Sequence, residues 1–543
     1  MEPAAQNEPK TRQGTVGFLA MLNAYFELPA IFIVFALYAG WPIPDVNEAH
    51  YLTKATHYWN PDWCRGDQFL ESADAHQVFY WTFGWVTLFV PLPVVAAIGR
   101  CLTWFLLAWS WRRLNLAICP KCGGPILAIT ATLLVFVSDC TQMAGEWIVG
   151  GIEAKGFAFV LLFLALESLV RGRWNRVWLL LGGATAFHVL IGGWAAVICF
   201  GVWLAQGKDR PSLANMWSGL LGAMILSAPS VWFGLRLSLG VDPASLKEAD
   251  RIQFVERLYH HLDPFSFNPS TVGWQVGLFA TYLAACICWR APAGTRRVQG
   301  FVIGSAVVVL CGFLIAIVFK SRPELAQGLL RFYWFRMFDV ALPIGIALLP
   351  VVYLPVIYWD ERRQRHRSRQ VIGAIIILGF LASPIVLFKF AAQRGASAVP
   401  RSDKFDADYA DWRETCEWVS QNTAAHDLFL TPALGATFKF YANRPDVVTW
   451  KDMPQDAPSV LEFWRRMQEI HASPEYPADP TVGRWRASLG VLGTARLREL
   501  AAEYHANYVI VVTDWPDKQK AIQLPPLDLE LVHHNAHYAV YRF

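Results

Sequence analysis

Long apolar runs separated by short polar segments dominate the first 390 residues of the chain. The runs cover residues 15–41, 77–98, 124–138, 154–170, 177–206, 214–236, 271–289, 298–319, 337–358 and 371–390. A helix that crosses a bilayer needs about 20 consecutive, mostly apolar residues. The pattern therefore predicts a polytopic α-helical membrane protein. The first run is too long for the apolar core of a signal peptide, so we interpret it as a retained span.

The run at 177–206 has basic residues at both flanks and is interrupted at His188 and at Gly192-Gly193. It therefore predicts two short helices that meet at a tip. The stretch 77–112 makes one net pass, which places Arg100 near the inner face. Counted in this way, the chain has about eleven transmembrane helices.

Loop charges orient these spans, because cytoplasmic loops are enriched in Lys and Arg. Basic clusters occur at Arg112/Arg113/Lys121, Arg171/Arg173/Arg176, Lys208/Arg210, Arg290/Arg296/Arg297 and Arg362–Arg369. The loop at 42–76 is acidic and aromatic instead. We therefore expect a cytoplasmic tail at 1–14, a transmembrane domain at 15–390, and loop 42–76 outside with interfacial helices.

Residues 391–543 have no run long enough to span a membrane, and helical and strand patterns alternate there. Asp408–Gln421 has the spacing of an amphipathic helix. Asp427–Thr431 and Tyr508–Thr513 are typical of buried strands, and Leu529–His533 with His537–Phe543 predicts a closing hairpin. The alternation predicts a C-terminal α/β extracytoplasmic domain.

Composition supports the membrane interpretation, since 55% of the 543 residues are hydrophobic and 17% are charged. Soluble domains carry about 25% charged residues. A formal net charge of +4 gives no reason to expect a nucleic-acid partner. Cys119 and Cys122 form an isolated CxxC without the second ligand pair of a zinc site, so we interpret that segment as a plain loop.

The first candidate chemistry follows the first span, where Asp45 and Glu48 lie in loop 42–76. Two carboxylates near an interface could act as a general base or hold a divalent metal. The alternative is a solvated helix beside the membrane.

A second group precedes and interrupts later spans. Glu153 and Lys155 lie just before or at the start of the run 154–170, and His188 lies at the predicted tip. Their functional interpretation is the wall of a ligand cavity. The structural alternative is a carboxylate near a helix N-terminus and a packed, hydrogen-bonded histidine.

A third group is an exception to the enrichment of Lys and Arg in cytoplasmic loops. Residues 320–336 are basic, although the number of spans that precede them places them outside. Arg331 and Arg336 lie beside four aromatic residues at the depth of a lipid headgroup. They indicate an anionic ligand such as a lipid phosphate. The alternative is that both arginines simply reach the interface beside an aromatic belt.

The layout as a whole resembles the GT-C superfamily of polytopic membrane glycosyltransferases, in a bacterial branch. The resemblance rests on the acidic motif at 45–51, the paired short spans, the basic late loop, the C-terminal domain, and segments such as 150–155, 186–194 and 443–451. It implies sugar transfer from a polyprenyl-phosphate donor on the outer face. Asp45 or Glu48 would then be catalytic base or metal ligand, and Arg331 or Arg336 would bind the carrier phosphate, helped by Lys155 and His188. The two acids are separated here by two residues, which leaves both metal dependence and the identity of the base open.

The expected partners are a polyprenyl-phosphate sugar and membrane lipids, and the expected location is the bacterial inner or plasma membrane. A non-enzymatic scaffold and a lipid or solute transporter are the alternatives. A transporter favours charges near the membrane midplane and often inverted repeats. Neither is evident in the sequence, where polar groups gather toward one face.

Overall fold

The computed structural model describes residues 26–288, 290–358, 366–404, 406–476, 478, 483–514 and 524–543. The predicted tail at 1–14 lies outside the described residues. So do residues 359–365, which include the first part of the basic stretch Arg362–Arg369.

Seventeen α-helices precede the C-terminal sheet region among the described residues. They are α1 Phe26–Ala39, α2 Glu48–Trp59, α3 Gln68–Glu71, α4 Gln77–Thr82, α5 Leu92–Ile118, α6 Pro125–Cys140, α7 Ala154–Val170, α8 Trp174–Phe187, α9 Val189–Ala205, α10 Trp217–Arg236, α11 Pro243–Arg251, α12 Tyr259–Leu262, α13 Pro269–Cys288, α14 Ala293–Val318, α15 Pro323–Leu330, α16 Arg336–Tyr358 and α17 His366–Ala396.

Five described helices are long and apolar enough to cross a membrane, judged by length and composition: α5, α10, α13, α14 and the segment Arg336–Tyr353 of α16. A sixth is obtained if the bent pair Val189–Ala205 and Gly207–Asn215 is one span. Apolar side chains such as Val276 and Leu310 are more than 60% exposed, as expected for surfaces that face lipid. The chain is a polytopic helical membrane protein with a small C-terminal sheet. The predicted count of about eleven spans stays a prediction.

The helix break predicted in the run 177–206 is confirmed, since α8 ends and α9 begins on either side of His188. The predicted position of Arg100 is wrong. Helix α5 begins only at Leu92, so Arg100 lies about two turns from the end that adjoins the first loop (residues 40–91). There it binds Glu48, while Arg112 at the other end of the helix binds Glu27.

The far end of the bundle collects basic residues around Glu167, which is fully buried. Arg113, Arg171 and Arg176 all approach its carboxylate, at 2.9, 3.0 and 3.6 Å. Cys119 and Cys122 form a disulfide beside this end, with their Cα atoms 5.3 Å apart. Basic clusters that the sequence assigned to one side of the membrane therefore meet at one end of the bundle, opposite Arg100.

The C-terminal part contains α18 Tyr409–Asn422, β1 Phe429–Leu430, α19 Phe438–Ala442, α20 Ala457–Arg466, α21 Gly493–Tyr504, β2 Tyr508–Val512, β3 Glu530–His534 and β4 Tyr538–Arg542. The sheet order is β1-β2-β4-β3, with β1 parallel to β2 and the other neighbours antiparallel. The predicted closing hairpin is thus confirmed as β3 and β4.

Both faces of this sheet are covered, which follows from the period of two along strand β2. Val509 and Val511 pack against apolar residues of α20 and α21. Ile510 and Val512, on the opposite face, pack against those of α18 and α19. A strand buried on both faces becomes continuously apolar, as the sequence YVIVV is. The result is a three-layer α/β arrangement.

Candidate functional site

The first loop is anchored by Glu48, whose side chain is only 1% exposed. Its Oε1 accepts hydrogen bonds from Nε of Arg100 at 2.6 Å and from the N–H of Ile152 at 3.0 Å. Its Oε2 accepts from Nη2 of Arg100 at 2.5 Å and from the N–H of Asp45 at 2.7 Å. A Cβ at Gly151 would lie 2.5 Å from Oε1, so the close approach requires glycine there. Both oxygens of Glu48 are therefore fully used within the protein.

Asp45 is held in a second bidentate pair. Its two carboxylate oxygens accept hydrogen bonds from Nε and Nη2 of Arg401, each at 2.7 Å. Burial opposes ionisation of this carboxyl, but the hydrogen bonds and charge of Arg401 outweigh it and lower the pKa of Asp45. Ser402 adds hydrogen bonds to the carbonyls of Pro44 and Asp45. Asp45 thus ties the first loop to the segment that follows α17.

These two carboxylates do not fit a divalent metal. A hard cation needs several carboxylate or carbonyl oxygens that point toward one position. Here each carboxylate already faces its own arginine, Arg401 for Asp45 and Arg100 for Glu48.

Beside these pairs lies a group of polar side chains that we name the central cluster. It consists of Asn47, Glu146, Glu153, Lys155, Arg336 and Lys451. Nζ of Lys155 donates to Glu146 at 2.7 Å and lies 3.6 Å from Glu153. Arg336 lies 3.4 Å from Oε2 of Glu146. Asn47 donates to Oε2 of Glu153 at 2.7 Å and accepts from Nζ of Lys451 at 3.0 Å.

The cluster is held in place by Asp339, which is fully buried one turn after Arg336 on α16. Its carboxylate accepts hydrogen bonds from the N–H groups of Met143, Ala144 and Glu146. The loop between α6 and α7 is therefore fixed against the start of α16. This contact determines the distance between Glu146 and Arg336.

Glu153 is as buried as Asp45, but no arginine pairs with it among the described residues. Its oxygens accept hydrogen bonds from Asn47 and from the indole N–H of Trp147, the latter at 3.1 Å. Burial raises the pKa of Glu153 in spite of the opposing charge of Lys155. Of the two carboxyls, Glu153 is the one that its surroundings make the better proton acceptor.

One further cation, Arg257, lies near the cluster's Lys451. The charges of Arg257, Arg336 and Lys451 all act on His260, whose pKa is lowered to about 4, mainly by burial. Arg257 donates to the carbonyl of Trp450 and lies over its ring. Neither Arg257 nor Lys451 has a carboxylate within ion-pair distance among the residues that the structure describes. Burial also lowers the pKa of Lys451 to about 8.

His188 joins the cluster through a chain of rings. It lies 5.5 Å from His76, measured between ring centroids. Nε2 of His76 is 3.3 Å from the hydroxyl of Tyr51. The charges of Glu153 and Arg336 both act on Tyr51. His188 therefore lies at the border of the site, at the break between α8 and α9.

Arg331 lies elsewhere. It forms an ion pair with Asp250 of α11 and stacks over Phe332. Of the seven residues that the sequence singled out, the structure brings four into one neighbourhood: Glu153, Lys155, His188 and Arg336. It places Asp45 and Glu48 at its edge, each in an arginine pair. Their roles in chemistry stay predictions.

A buried hub joins the first loop to the C-terminal region. Nζ of Lys439 lies 2.8 Å from Asp452, 2.9 Å from Asp446 and 3.3 Å from Asp67. All four side chains are at most 3% exposed. Because Lys451 precedes Asp452 in the chain, this hub also positions the cation that binds Asn47.

Sequence reasoning did not select Arg100, Arg401, Glu146, Arg257 or Lys451. Lys451 lies inside the segment 443–451 that contributes to the family resemblance, but nothing in the pattern assigned it a contact. Arg100 and Arg401 find their partners 52 and 356 residues away. An unexpected arginine near the start of an apolar helix was the available signal for Arg100.

Among the described residues, one group of metal-ligating side chains lies within mutual reach: Asp408, Asp411 and His537. Asp408 accepts the N–H of Asp411 and so caps α18. His537 lies 2.7 Å from Asp411. The side chains of Asp408, Asp411 and His537 thus already make structural contacts within the C-terminal region.

Comparison with known proteins gives a match to one family model and matches to solved structures. Residues 410–470 match the model described as Domain of unknown function (DUF6798). A search of curated proteins returned no match. In structure, the chain is similar to the Archaeoglobus fulgidus oligosaccharyltransferase tethered to an acceptor peptide with an NVT sequon, with a TM-score of 0.45 and 12% identity. The alignment covers 91% of this chain and 69% of that one.

Proposed function

We propose that the protein is a membrane glycosyltransferase that moves a sugar from a polyprenyl-phosphate donor to an acceptor hydroxyl at the central cluster. The observation that carries the proposal is the positive charge gathered there on one buried side chain, Lys155, and three half-buried ones. Lys155, Arg336 and Lys451 gather around the carboxylates of Glu146 and Glu153. Arg257 lies beside Trp450, and the charge of Asp452 acts on both Arg257 and Lys451. Unpaired buried charges are costly, so such an excess favours an anionic ligand.

The hydrogen-bonding state of Arg336 supports the same conclusion. Its Nε is buried and has no hydrogen-bond partner among the described residues. Its guanidinium also lies over the ring of Tyr333, at 3.9 Å from the centroid. A phosphate oxygen can accept hydrogen bonds from a guanidinium in bidentate fashion, and an aromatic face holds the fork in orientation.

For the base we propose Glu153 in place of Asp45 or Glu48. A general base works best when its pKa lies near the working pH, because it is then both largely unprotonated and able to attract a proton. Glu153 has a pKa raised by burial, whereas both oxygens of Asp45 and of Glu48 are bound in arginine pairs. Asp45 and Glu48 then act as positioning residues that fix the first loop.

The proposed reaction is a displacement at the anomeric carbon of the donor sugar. The acceptor O–H gives its proton to Glu153 while its oxygen forms a bond to the anomeric carbon of the donor sugar. The bond from that carbon to the phosphate oxygen breaks, and its electron pair leaves with the lipid phosphate. Arg336 and Lys451 stabilise the negative charge that develops on the leaving oxygen.

The membrane arrangement is part of the proposal. We take residues 15–390 as a bundle of about eleven spans in a bacterial plasma membrane, with residues 391–543 extracytoplasmic. The gathering of basic residues around Glu167 at the far end supports this orientation. The test fuses after Phe543 a reporter that works only in the cytoplasm. Activity of that reporter would contradict the proposed orientation.

Donor binding gives the first test. Arg336→Gln should weaken binding of a polyprenyl phosphate to the detergent-solubilised protein by about tenfold to a hundredfold, because a charge-assisted hydrogen bond is lost. Microscale thermophoresis measures the dissociation constant. Arg322→Gln is the matched control, an exposed arginine of the same loop.

The variant Arg331→Gln distinguishes the role of Arg331 from that of Arg336, the two arginines that the sequence indicated. Because Arg331 pairs with Asp250, we expect the dissociation constant of this variant to stay within about threefold of the wild type. Equal losses in the Arg331 and Arg336 variants, or none in the latter, would contradict the assignment of the phosphate to the central cluster.

The amine of Lys451 predicts a pH dependence. Burial lowers its pKa to about 8, and only the protonated amine attracts a phosphate. Affinity for the polyprenyl phosphate should therefore fall as the pH rises from 7.5 to 9.5, by up to about tenfold per unit. The phosphate itself loses its second proton near pH 6, so the charge of the probe hardly changes across this range.

Lys451→Arg provides the matched variant, because a guanidinium stays protonated throughout. Its affinity should be nearly independent of pH, and Lys451→Met should bind weakly at every pH. A wild-type dissociation constant that stays flat between pH 7.5 and 9.5 contradicts a role for this amine.

A further inference from the structure

The hydroxyl of Tyr51 is a buried polar group beside the central cluster that the proposed mechanism does not use. Tyr51 is 8% exposed, and its N–H donates to the carbonyl of Asn47, one turn earlier, at 3.0 Å. Side chains on a helix lean toward its N-terminus, so the ring of Tyr51 lies over the turn that carries Asn47. Asn47 in turn binds Glu153. The Tyr51 hydroxyl therefore lies on the same side of α2 as the proposed base.

The ring of His76 fixes the orientation of this hydroxyl. Nε2 of His76 lies 3.3 Å from the oxygen of Tyr51, and the two rings meet edge to face with centroids 5.1 Å apart. Which of the two atoms donates depends on the nitrogen that carries the histidine's hydrogen. The second ring nitrogen, Nδ1, lies 3.1 Å from Nε2 of Gln455. That contact decides between the tautomers.

The amide of Gln455 has one orientation that satisfies its neighbours. Its Oε1 accepts a hydrogen bond from the N–H of Ala75 at 3.1 Å. The atom that faces His76 is therefore the amide nitrogen, which only donates. Nδ1 of His76 must then accept, so the hydrogen of the neutral ring is on Nε2. Protonation of the ring would leave that hydrogen in place. Nε2 of His76 thus donates to the oxygen of Tyr51.

This direction of donation leaves the hydrogen of the Tyr51 hydroxyl without a partner. The oxygen accepts from His76, and the structure gives the hydrogen no acceptor among the residues that it describes. Burial raises the pKa of Tyr51 well above its ordinary value, so the hydroxyl keeps this hydrogen at neutral pH. A buried donor without an acceptor costs free energy, which a ligand recovers by placing an oxygen there.

The charges that reach this hydroxyl show which ligand atom lies nearby. Glu153 is the charged group that acts most strongly on Tyr51, ahead of Asp74 and Glu146. The proposed function places the acceptor hydroxyl at Glu153. A hydroxyl group has one hydrogen and two lone pairs. Its hydrogen can face Glu153 while one lone pair accepts from Tyr51, which leaves the other lone pair for the anomeric carbon.

We propose that Tyr51 is an acceptor-binding residue whose O–H donates a hydrogen bond to the attacking oxygen of an alcohol. The inference rests on the proposed function and adds a preference to it. A thiol offers a sulfur that accepts hydrogen bonds weakly, so this site selects alcohols over thiols.

The test compares two acceptors that differ in one atom, with a radiolabelled polyprenyl-phosphate sugar as donor. They are the best substrate from a series of acceptor alcohols and the thiol with the same carbon skeleton. Tyr51→Phe keeps the ring and removes the hydroxyl. It should lower kcat/KM for the alcohol by about tenfold, as expected for one lost hydrogen bond, and for the thiol by no more than about threefold. The dissociation constant of polyprenyl phosphate should stay within about twofold of the wild type, because Tyr51 binds the acceptor.

Tyr58→Phe is the matched control on the same helix. The hydroxyl of Tyr58 accepts from the indole of Trp81 at 2.6 Å, and the residue is 39% exposed. Its removal should change kcat/KM for both acceptors by no more than about twofold.

Gln455→Leu tests the tautomer argument without altering Tyr51. Oδ1 of Asp74 lies 3.7 Å from Nδ1 of His76. Without the amide, Asp74 attracts the ring hydrogen to Nδ1, and Nε2 then accepts the hydrogen of Tyr51. The variant should show the same loss, larger for the alcohol than for the thiol. It carries the test if unfolding midpoints in detergent show that Tyr51→Phe does not fold.

The outcomes separate this inference from the proposed function. Equal losses for alcohol and thiol in Tyr51→Phe would mean a structural role and overturn the inference, and so would a kcat/KM within twofold of the wild type. A tenfold weaker dissociation constant for polyprenyl phosphate places Tyr51 on the donor instead and also overturns it. In these cases the proposed function stands. A wild type that transfers sugar to no alcohol overturns both.

Discussion

Replacing Glu153 by glutamine is expected to lower kcat for sugar transfer by about 10²–10⁴-fold, the usual cost of losing a general base. Glutamine keeps the size and the hydrogen bond to Trp147 but cannot take a proton. Because burial raises the pKa of Glu153, wild-type kcat should fall as the pH drops through that pKa. Glu153→Gln should lose this acidic limb. A radiolabelled polyprenyl-phosphate sugar and a series of acceptor alcohols give the rates.

Asp45→Asn and Glu48→Gln provide the comparison, since they change the same functional group in the same region. Each breaks a bidentate arginine pair, so both should lower the unfolding midpoint while the acidic limb of the rate profile remains. If Asp45→Asn or Glu48→Gln abolishes the fall of kcat at low pH and Glu153→Gln retains it, the general base is in the first loop.

Replacing Lys439 by methionine is expected to destabilise the protein by about 3–5 kcal/mol, the cost of removing one partner from a buried ion pair. Three buried carboxylates, those of Asp67, Asp446 and Asp452, would then face one another without a cation. Even with the lysine present, burial raises the pKa of Asp446 to about 7. The unfolding midpoint in detergent, followed by thermal shift, measures the loss.

The sign of the pH effect distinguishes charge from packing. The charge of Lys439 opposes the rise in the pKa of Asp446, so without it that pKa rises further and the variant gains stability as the pH falls from 7 toward the ordinary aspartate value of 3.8. A loss that is independent of pH would point to packing alone. Lys247→Met is the control, because its pair with Glu324 is exposed and worth at most about 1 kcal/mol.

Much of the fold follows from local pattern. Run 154–170 coincides with α7, the break at His188 separates α8 from α9, and the strand at 508–513 matches β2 to one residue. Each of these signals depends on residues close in sequence. The run at 77–98 was less informative, because hydropathy alone does not separate the short helix α4 from the start of α5 at Leu92. That one shift moved Arg100 to the wrong end.

The site was predictable only as a set of residue types. Local sequence showed that Glu153, Lys155 and Arg336 were unusual for their positions near membrane depth. It could not show that Asp339 fixes Arg336 against Glu146, nor that Lys451 arrives from the C-terminal region to bind Asn47. Those contacts join segments that are far apart in sequence, and the periodicity of apolar residues gives information only about residues close in sequence.

The long-range pairs of the first loop also have a consequence for the order of events during synthesis. Arg401 follows Asp45 by 356 residues, and Lys439, which pairs with Asp67, follows that residue by 372. At 5–20 residues per second, the ribosome needs roughly 20 to 75 s to supply these partners. For that interval the nascent loop carries Asp45 and Asp67 without their cations. A chain truncated after α17 never supplies them, so its first loop would remain a target for proteases and membrane quality control.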